Sequence, residues 1–104
     1  MSKVRDIASA HELEENFNTK NGLIIDIRSL KKNSVPGLEN AIALDLMSQH
    51  FVEYFSDITK DTPILLCCDD GSRSRVAIRI LTEMGYKNLY HLKNGINRWE
   101  KQYF

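Results

Sequence analysis

Ile64-Leu-Leu-Cys-Cys-Asp-Asp-Gly-Ser-Arg-Ser-Arg-Val-Ala-Ile78 is the stretch whose reading decides the fold. It starts as a short apolar run, which suits a buried strand. It continues into an amphipathic pattern in which Val76, Ala77, Ile80, Leu81 and Met84 fall on one helical face. Between the two lies a polar loop with both cysteines of the chain, a glycine and an arginine. A strand that stops at a thiol and turns directly into a helix is a chemical arrangement. The helix start offers unpaired backbone N–H groups and partial positive charge, which stabilise a thiolate or an anion brought to it.

Working outward, Val4 to Ile7 reads as a short first strand. Ser9 and Glu12 form a capping box for a helix that buries Leu13 and Phe17 and stops at Asn21-Gly22. Leu23 to Ile27 is a near-continuous apolar run, as expected of a strand covered on both faces, with Asp26 near its end. Arg28 to Gly37 is polar and reads as a loop, and Ala41 to Leu44 as a third strand. Ser48 caps a helix that places Phe51, Tyr54, Phe55 and Ile58 on one face. Ile64 to Cys68 is the fourth strand. The helix after the loop ends at Gly85, which fits the residue just past a helix terminus. Leu89 to Leu92 is the fifth strand, Asn94-Gly95 breaks it, and a last helix buries Ile96, Trp99 and Tyr103. Strands alternating with helices predict an α/β fold: a mostly parallel five-stranded sheet with helices on both faces and the working site beyond the carboxyl ends of the strands.

The length of 104 residues predicts one domain spanning residues 1–104, able to bury roughly two-thirds of its unfolded surface. Fourteen basic and fourteen acidic side chains cancel, with no basic stripe to suggest nucleic acid. No run approaches membrane-spanning length, and Met1 to Asp6 lacks the apolar core of a signal peptide. A cytoplasmic protein without membrane or nucleic-acid partners is the expectation. The two cysteines are adjacent, poorly placed for a structural disulfide, and too few for a zinc site. No metal and no cofactor are expected. His11, His50 and His91 lack ligand spacing and read as surface or partly buried residues.

Cys68 is the best candidate for chemistry. Gly71 follows at +3 and Arg73 at +5, giving a Cys-x-x-Gly-x-Arg loop. A nucleophilic sulfur needs a favoured thiolate, donors for a negative sulfur, and access for substrate. The helix start supplies the first and successive loop N–H groups the second, with Gly71 allowing the tight curl. Ser72 and Ser74 can donate further hydrogen bonds or cap the helix. Strand alternation points Cys67 to the opposite face, where it reads as a packed apolar residue. The functional reading requires Cys68 to present its thiol to solvent inside a ring of inward-facing amides.

With those residues in view, the sequence resembles the rhodanese family. Leu23-Ile-Ile-Asp-Ile-Arg28 is similar to its Asp-x-Arg strand, and Cys68-Asp-Asp-Gly-Ser-Arg-Ser74 to its active loop. Met84-Gly-Tyr-Lys-Asn-Leu-Tyr-His-Leu-Lys-Asn-Gly-Ile-Asn-Arg-Trp99 is similar to its closing segment. The resemblance implies a rhodanese-like fold and a sulfurtransferase in which Cys68 takes a sulfane sulfur as a persulfide and passes it on. It implies that the loop from Asp69 through Asp70, Gly71, Ser72 and Arg73 to Ser74 cradles the persulfide, with Asp26 and Arg28 supporting. The implied partners are a small-molecule sulfur donor (thiosulfate, persulfide or polysulfide) and a thiol, cyanide or protein acceptor.

The chain departs from the family pattern in two places. Ser29 to Asn40 is short and lacks the usual glutamate–aromatic and glycine–histidine pairs. Asp69 and Asp70 set two carboxylates beside the thiol, which oppose the helix dipole and repel a dianion such as thiosulfate. Two other readings compete. Cys67, Arg73 and Ser74 also fit the Cys-x5-Arg spacing of cysteine phosphatases and some arsenate reductases, and rhodanese-like domains that only bind or regulate exist, typically without the loop cysteine.

Overall fold

The computed structural model describes residues 3–7, 12–13, 17, 21–28, 41–68, 72–92 and 95. In chain order the elements are β1 (Lys3–Ile7), β2 (Leu23–Asp26), β3 (Ile42–Ala43), α1 (His50–Phe55), β4 (Ile64–Cys67), α2 (Ser72–Glu83) and β5 (Asn88–Leu92). The strands form one five-stranded sheet in the order β1-β5-β4-β2-β3, and every neighbouring pair is parallel. All five carboxyl ends therefore lie at one end of the sheet. The expected α/β architecture is the one present. β2 and β4 each stop one residue short of the expected end, β3 is only two residues long, and β5 starts one residue early.

Alternation along the strands divides the apolar side chains into two layers. On one face Ile25, Ile27, Ile64, Leu66 and Leu89 pack against Phe51 and Phe55 of α1 and Ala77 and Leu81 of α2. On the other, Ile7, Ile24, Leu65 and Leu92 pack around Phe17. The Phe17 N–H donates to the Leu13 carbonyl at 3.0 Å, and the Phe17 ring lies buried on that face. Ser9, expected to cap this helix, lies outside the described residues, as does the last helix expected to bury Ile96, Trp99 and Tyr103.

The helix ends show how the segment after the thiol is held. Gly85 has φ 95°, in the left-handed region that favours glycine. Its N–H donates to the Thr82 carbonyl and the Tyr86 N–H to the Leu81 carbonyl, both at 3.0 Å, closing the end of α2 as a Schellman motif. The Tyr86 hydroxyl then reaches back to the carbonyls of Phe55, at the end of α1, and of Ile58, three residues beyond it, the latter at 2.8 Å. α1 is capped at Gln49, one residue after the expected Ser48, whose hydroxyl accepts from the His50 N–H at 3.1 Å. One expectation for α2 fails: Val76 is 52% exposed, and the buried face runs through Ser74, Ala77 and Leu81. Each helical step turns the side chain by roughly 100°, so a face centred between Ala77 and Leu81 includes Ser74, three residues back, and excludes Val76.

Candidate active site

The thiol end of β4 splits its two cysteines cleanly. Cys68 joins the layer under α1 and α2, and Cys67 joins the opposite layer with Leu65 and Ile24. Both are free thiols. Ser74, in the first turn of α2 and fully buried, donates its hydroxyl to the Cys68 sulfur at 3.1 Å. The sulfur thus sits at the head of a 12-residue helix, where backbone dipoles favour negative charge. A hydroxyl donor and a helix start together can hold a thiolate or an anionic sulfur bonded to it.

The thiol is not open to solvent as the sequence suggested: Cys68 is 1% exposed and packs in the apolar layer. The cause is its place in the strand pattern. It continues the inward row of Ile64 and Leu66, so it points beneath the helix that follows it.

Cys67 has different surroundings. In the sheet it stands beside Asp26, its direct partner on β2, and the Ile27 N–H bonds to the Cys67 carbonyl at 2.9 Å. Asp26 is locked to Arg28. Arg28 Nε lies 3.1 Å from each carboxylate oxygen, Nη2 lies 2.8 Å from Oδ2, and the Arg28 backbone N–H donates to Oδ1 at 3.0 Å. Both side chains are almost fully buried. Two residues apart at a strand exit, they leave on the same side, which makes this fork geometrically natural. Burial pushes the Cys67 thiol far up from its ordinary value near 9, the Asp26 carboxylate and Cys68 add to this, and Arg28 opposes it weakly. Such a thiol stays protonated and unreactive, which counts against the Cys-x5-Arg reading.

Of the other residues singled out, Asp69, Asp70 and Gly71 lie outside the described residues, as does the segment 29–40. Ser72 begins α2, and Arg73 is exposed. Among the described residues, no three His, Cys, Asp or Glu side chains are grouped to hold a metal ion. Sequence reasoning missed one part-buried polar contact. His91 is 9% exposed and lies 3.2 Å through Nδ1 from Asp6 Oδ1, its direct partner across β1 and β5. Alternation with the inward Leu89 was the signal that places its ring on the same side of the sheet as Cys68.

Comparison with known proteins fits this geometry. A family model described as rhodanese-like domain matches residues 9–102. The chain is 28% identical over 85 residues to a thiosulfate sulfurtransferase GlpE of Actinobacillus succinogenes, covering 82% of this chain and 75% of that protein. It is 28% identical over 94 residues to a tRNA uridine(34) hydroxylase of Chlamydia felis, covering 85% of this chain and 29% of that one. Across the tRNA uridine(34) hydroxylases and the sulfurtransferase uba4 it matches, the chain spans only 20% to 33% of their length. In structure it resembles a rhodanese-related protein of Thermoplasma volcanium, with a TM-score of 0.72, 24% identity, and coverage of 94% of this chain and 92% of that one. Among the described residues no helix is long and apolar enough to cross a membrane.

Proposed function

The chain belongs to the rhodanese-like domain family, and on that premise we propose that it is a sulfurtransferase that carries sulfane sulfur on Cys68. The Cys68 thiolate attacks the outer sulfur of a donor. A new S–S bond forms, the donor's own bond to that sulfur breaks, and its electron pair leaves on a thiolate (or on sulfite, if thiosulfate is the donor). An acceptor thiolate or cyanide then attacks the outer sulfur of the Cys68 persulfide, and the pair returns to the cysteine sulfur. This is covalent nucleophilic catalysis in two displacements with no net redox change in the protein.

The observation that carries this reading is the Ser74 hydroxyl donating to Cys68 at the head of α2. A buried hydroxyl aimed at a sulfur is a fixed donor for negative charge, whether on the free thiolate or on the sulfur atom bonded to it. The amides of Asp69, Asp70, Gly71, Ser72 and Arg73 complete the cradle in this proposal. Asp26 and Arg28 support it from the opposite face by fixing the exit of β2 beside β4.

Donor choice follows from charge. The carboxylates of Asp69 and Asp70 disfavour a dianion, so persulfides and polysulfides are the preferred donors and thiosulfate a poor one.

Intact mass after incubation with each donor class tests both points. Wild type and a Cys67→Ala variant are expected to gain one sulfur atom from a persulfide or polysulfide, and a Cys68→Ser variant none. Sulfur uptake that survives in Cys68→Ser overturns the assignment of the nucleophile. Thiosulfate efficiency equal to that of persulfide overturns the donor preference alone.

A further inference from the structure

The outward face of α2 is built against the needs of the helix itself. Arg73 and Arg75 occupy its first turns, where no acidic residue is present and where the dipole disfavours cations. Arg75 and Arg79 stand at i and i+4, a like-charge spacing that weakens a helix. Arg79 has one carboxylate nearby, Glu83 at 4.0 Å, but both side chains are at least three-quarters exposed and such a pair contributes little. Arg73 and Arg75 have no carboxylate partner among the described residues. Beside them Val76 is 52% exposed, with Arg73 three residues before it and Arg79 three after. The face is basic with an apolar centre, in a chain whose formal net charge is zero.

The face lies on the helix that also carries Ser74, the residue bonded to the Cys68 sulfur. We propose that it docks an acidic segment of a protein that receives the sulfur, and that Val76 packs against an apolar residue of that segment. This deepens the sulfurtransferase reading and rests on it. Opposed charges steer the encounter and set its salt dependence, and the exposed valine supplies the contact that charge alone lacks. A protein fits better than a nucleic acid. Three arginines on one helix make few phosphate contacts, and an exposed valine gains nothing from a phosphate backbone. The transfer is the second displacement described above: the partner's cysteine thiolate attacks the outer sulfur and leaves with it as a persulfide, and Cys68 recovers its electron pair.

The test uses synthetic peptides that share one cysteine and one leucine and differ only in carrying glutamate, glutamine or lysine. Anisotropy of labelled peptides measures binding without any chemistry, and transfer from persulfide-loaded protein measures use. The glutamate peptide is expected to bind and accept sulfur about ten-fold better than the glutamine peptide at low salt, and to lose that advantage as salt rises. In an Arg75→Glu/Arg79→Glu variant the preference is expected to disappear while transfer to cyanide stays at the wild-type rate. Val76→Ser is expected to weaken binding of every peptide a few-fold without changing the order. Equal binding of the glutamate and glutamine peptides overturns the proposal, as does a charge-reversed variant that keeps the preference. So does a single-stranded RNA of equal charge that binds more tightly than the glutamate peptide. If cyanide accepts no sulfur from wild type, the sulfurtransferase reading fails on its own, and the binding arm still decides whether the face takes acidic peptides.

Discussion

Two adjacent cysteines occupy opposite faces of one sheet, and everything that distinguishes them comes from what each face holds. Cys68 meets a hydroxyl and the start of a helix. Cys67 meets a buried carboxylate, its guanidinium partner and an apolar layer. Both are buried to about the same degree. Burial by itself therefore does not distinguish them. The structural difference is that a hydroxyl donor meets the sulfur at Cys68, whereas burial and the Asp26 carboxylate disfavour charge on Cys67.

The sharpest way to break this contrast is to exchange the thiols. With a thiol only at 68, reaction with an alkylating reagent at neutral pH is expected to persist. With a thiol only at 67, it is expected to fall by at least two orders of magnitude, read as the rate of mass gain on native protein. Comparable rates at the two positions would show that the faces do not differ as argued. Next in size is the buried fork. Arg28→Met removes the guanidinium and leaves the buried Asp26 carboxylate with the backbone N–H of residue 28 but no opposite charge, which costs about 3–5 kcal/mol. Urea unfolding measures it, and a loss below about 1 kcal/mol would mean that Asp26 finds water or another donor.

Ser74→Ala tests the other face. A hydrogen bond to a charged acceptor contributes about 1.5–3 kcal/mol, so losing this one is expected to slow Cys68 alkylation about ten-fold or more at fixed pH. The same change at Arg75, on the same helix but pointing outward, is expected to leave the rate within about two-fold. A Ser74→Ala protein that reacts at the wild-type rate would reduce the hydroxyl to a packing group.

Much of this contrast was legible in the sequence because it rests on short-range periodicity. Two consecutive residues on a strand must face opposite ways, and Asp26 and Arg28 must face the same way. A glycine after an amphipathic run marks a helix end, and Gly85 does so. What escaped depends on tertiary placement. The apolar count put Val76 inward, but the helix is rotated so that a serine takes that place and finds a sulfur. Alternation puts Cys68 in the inward row of Ile64 and Leu66, but that the apolar layer under α1 and α2 closes over it depends on tertiary packing. The contact of His91 with Asp6 joins residues 85 apart and needs the β1–β5 register to be known first. Tyr86 stands in the segment that resembles the family's closing stretch, yet its hydroxyl reaches the carbonyls of Phe55 and Ile58, 31 and 28 residues away.

The smallest effect concerns pH and isolates the Cys67 face. The folded protein holds the Cys67 proton far more tightly than the unfolded chain, whose thiol titrates near 9. Below that pH both states are protonated and the group adds no pH dependence. Above it the unfolded chain releases its proton while the folded one keeps it, so the unfolded state is favoured and stability falls as pH rises. One such group gives a slope approaching 1.4 kcal/mol per pH unit. Burial also pushes the Tyr86 phenol up, and it contributes in the same direction at higher pH. The two are separated by comparing wild type with Cys67→Ala in urea at pH 8 and pH 10. The wild type is expected to lose about 1 kcal/mol more across that interval than the variant. Equal losses would mean that Cys67 ionises in the folded state as readily as in the unfolded one, and the two faces would then differ in geometry but not in field.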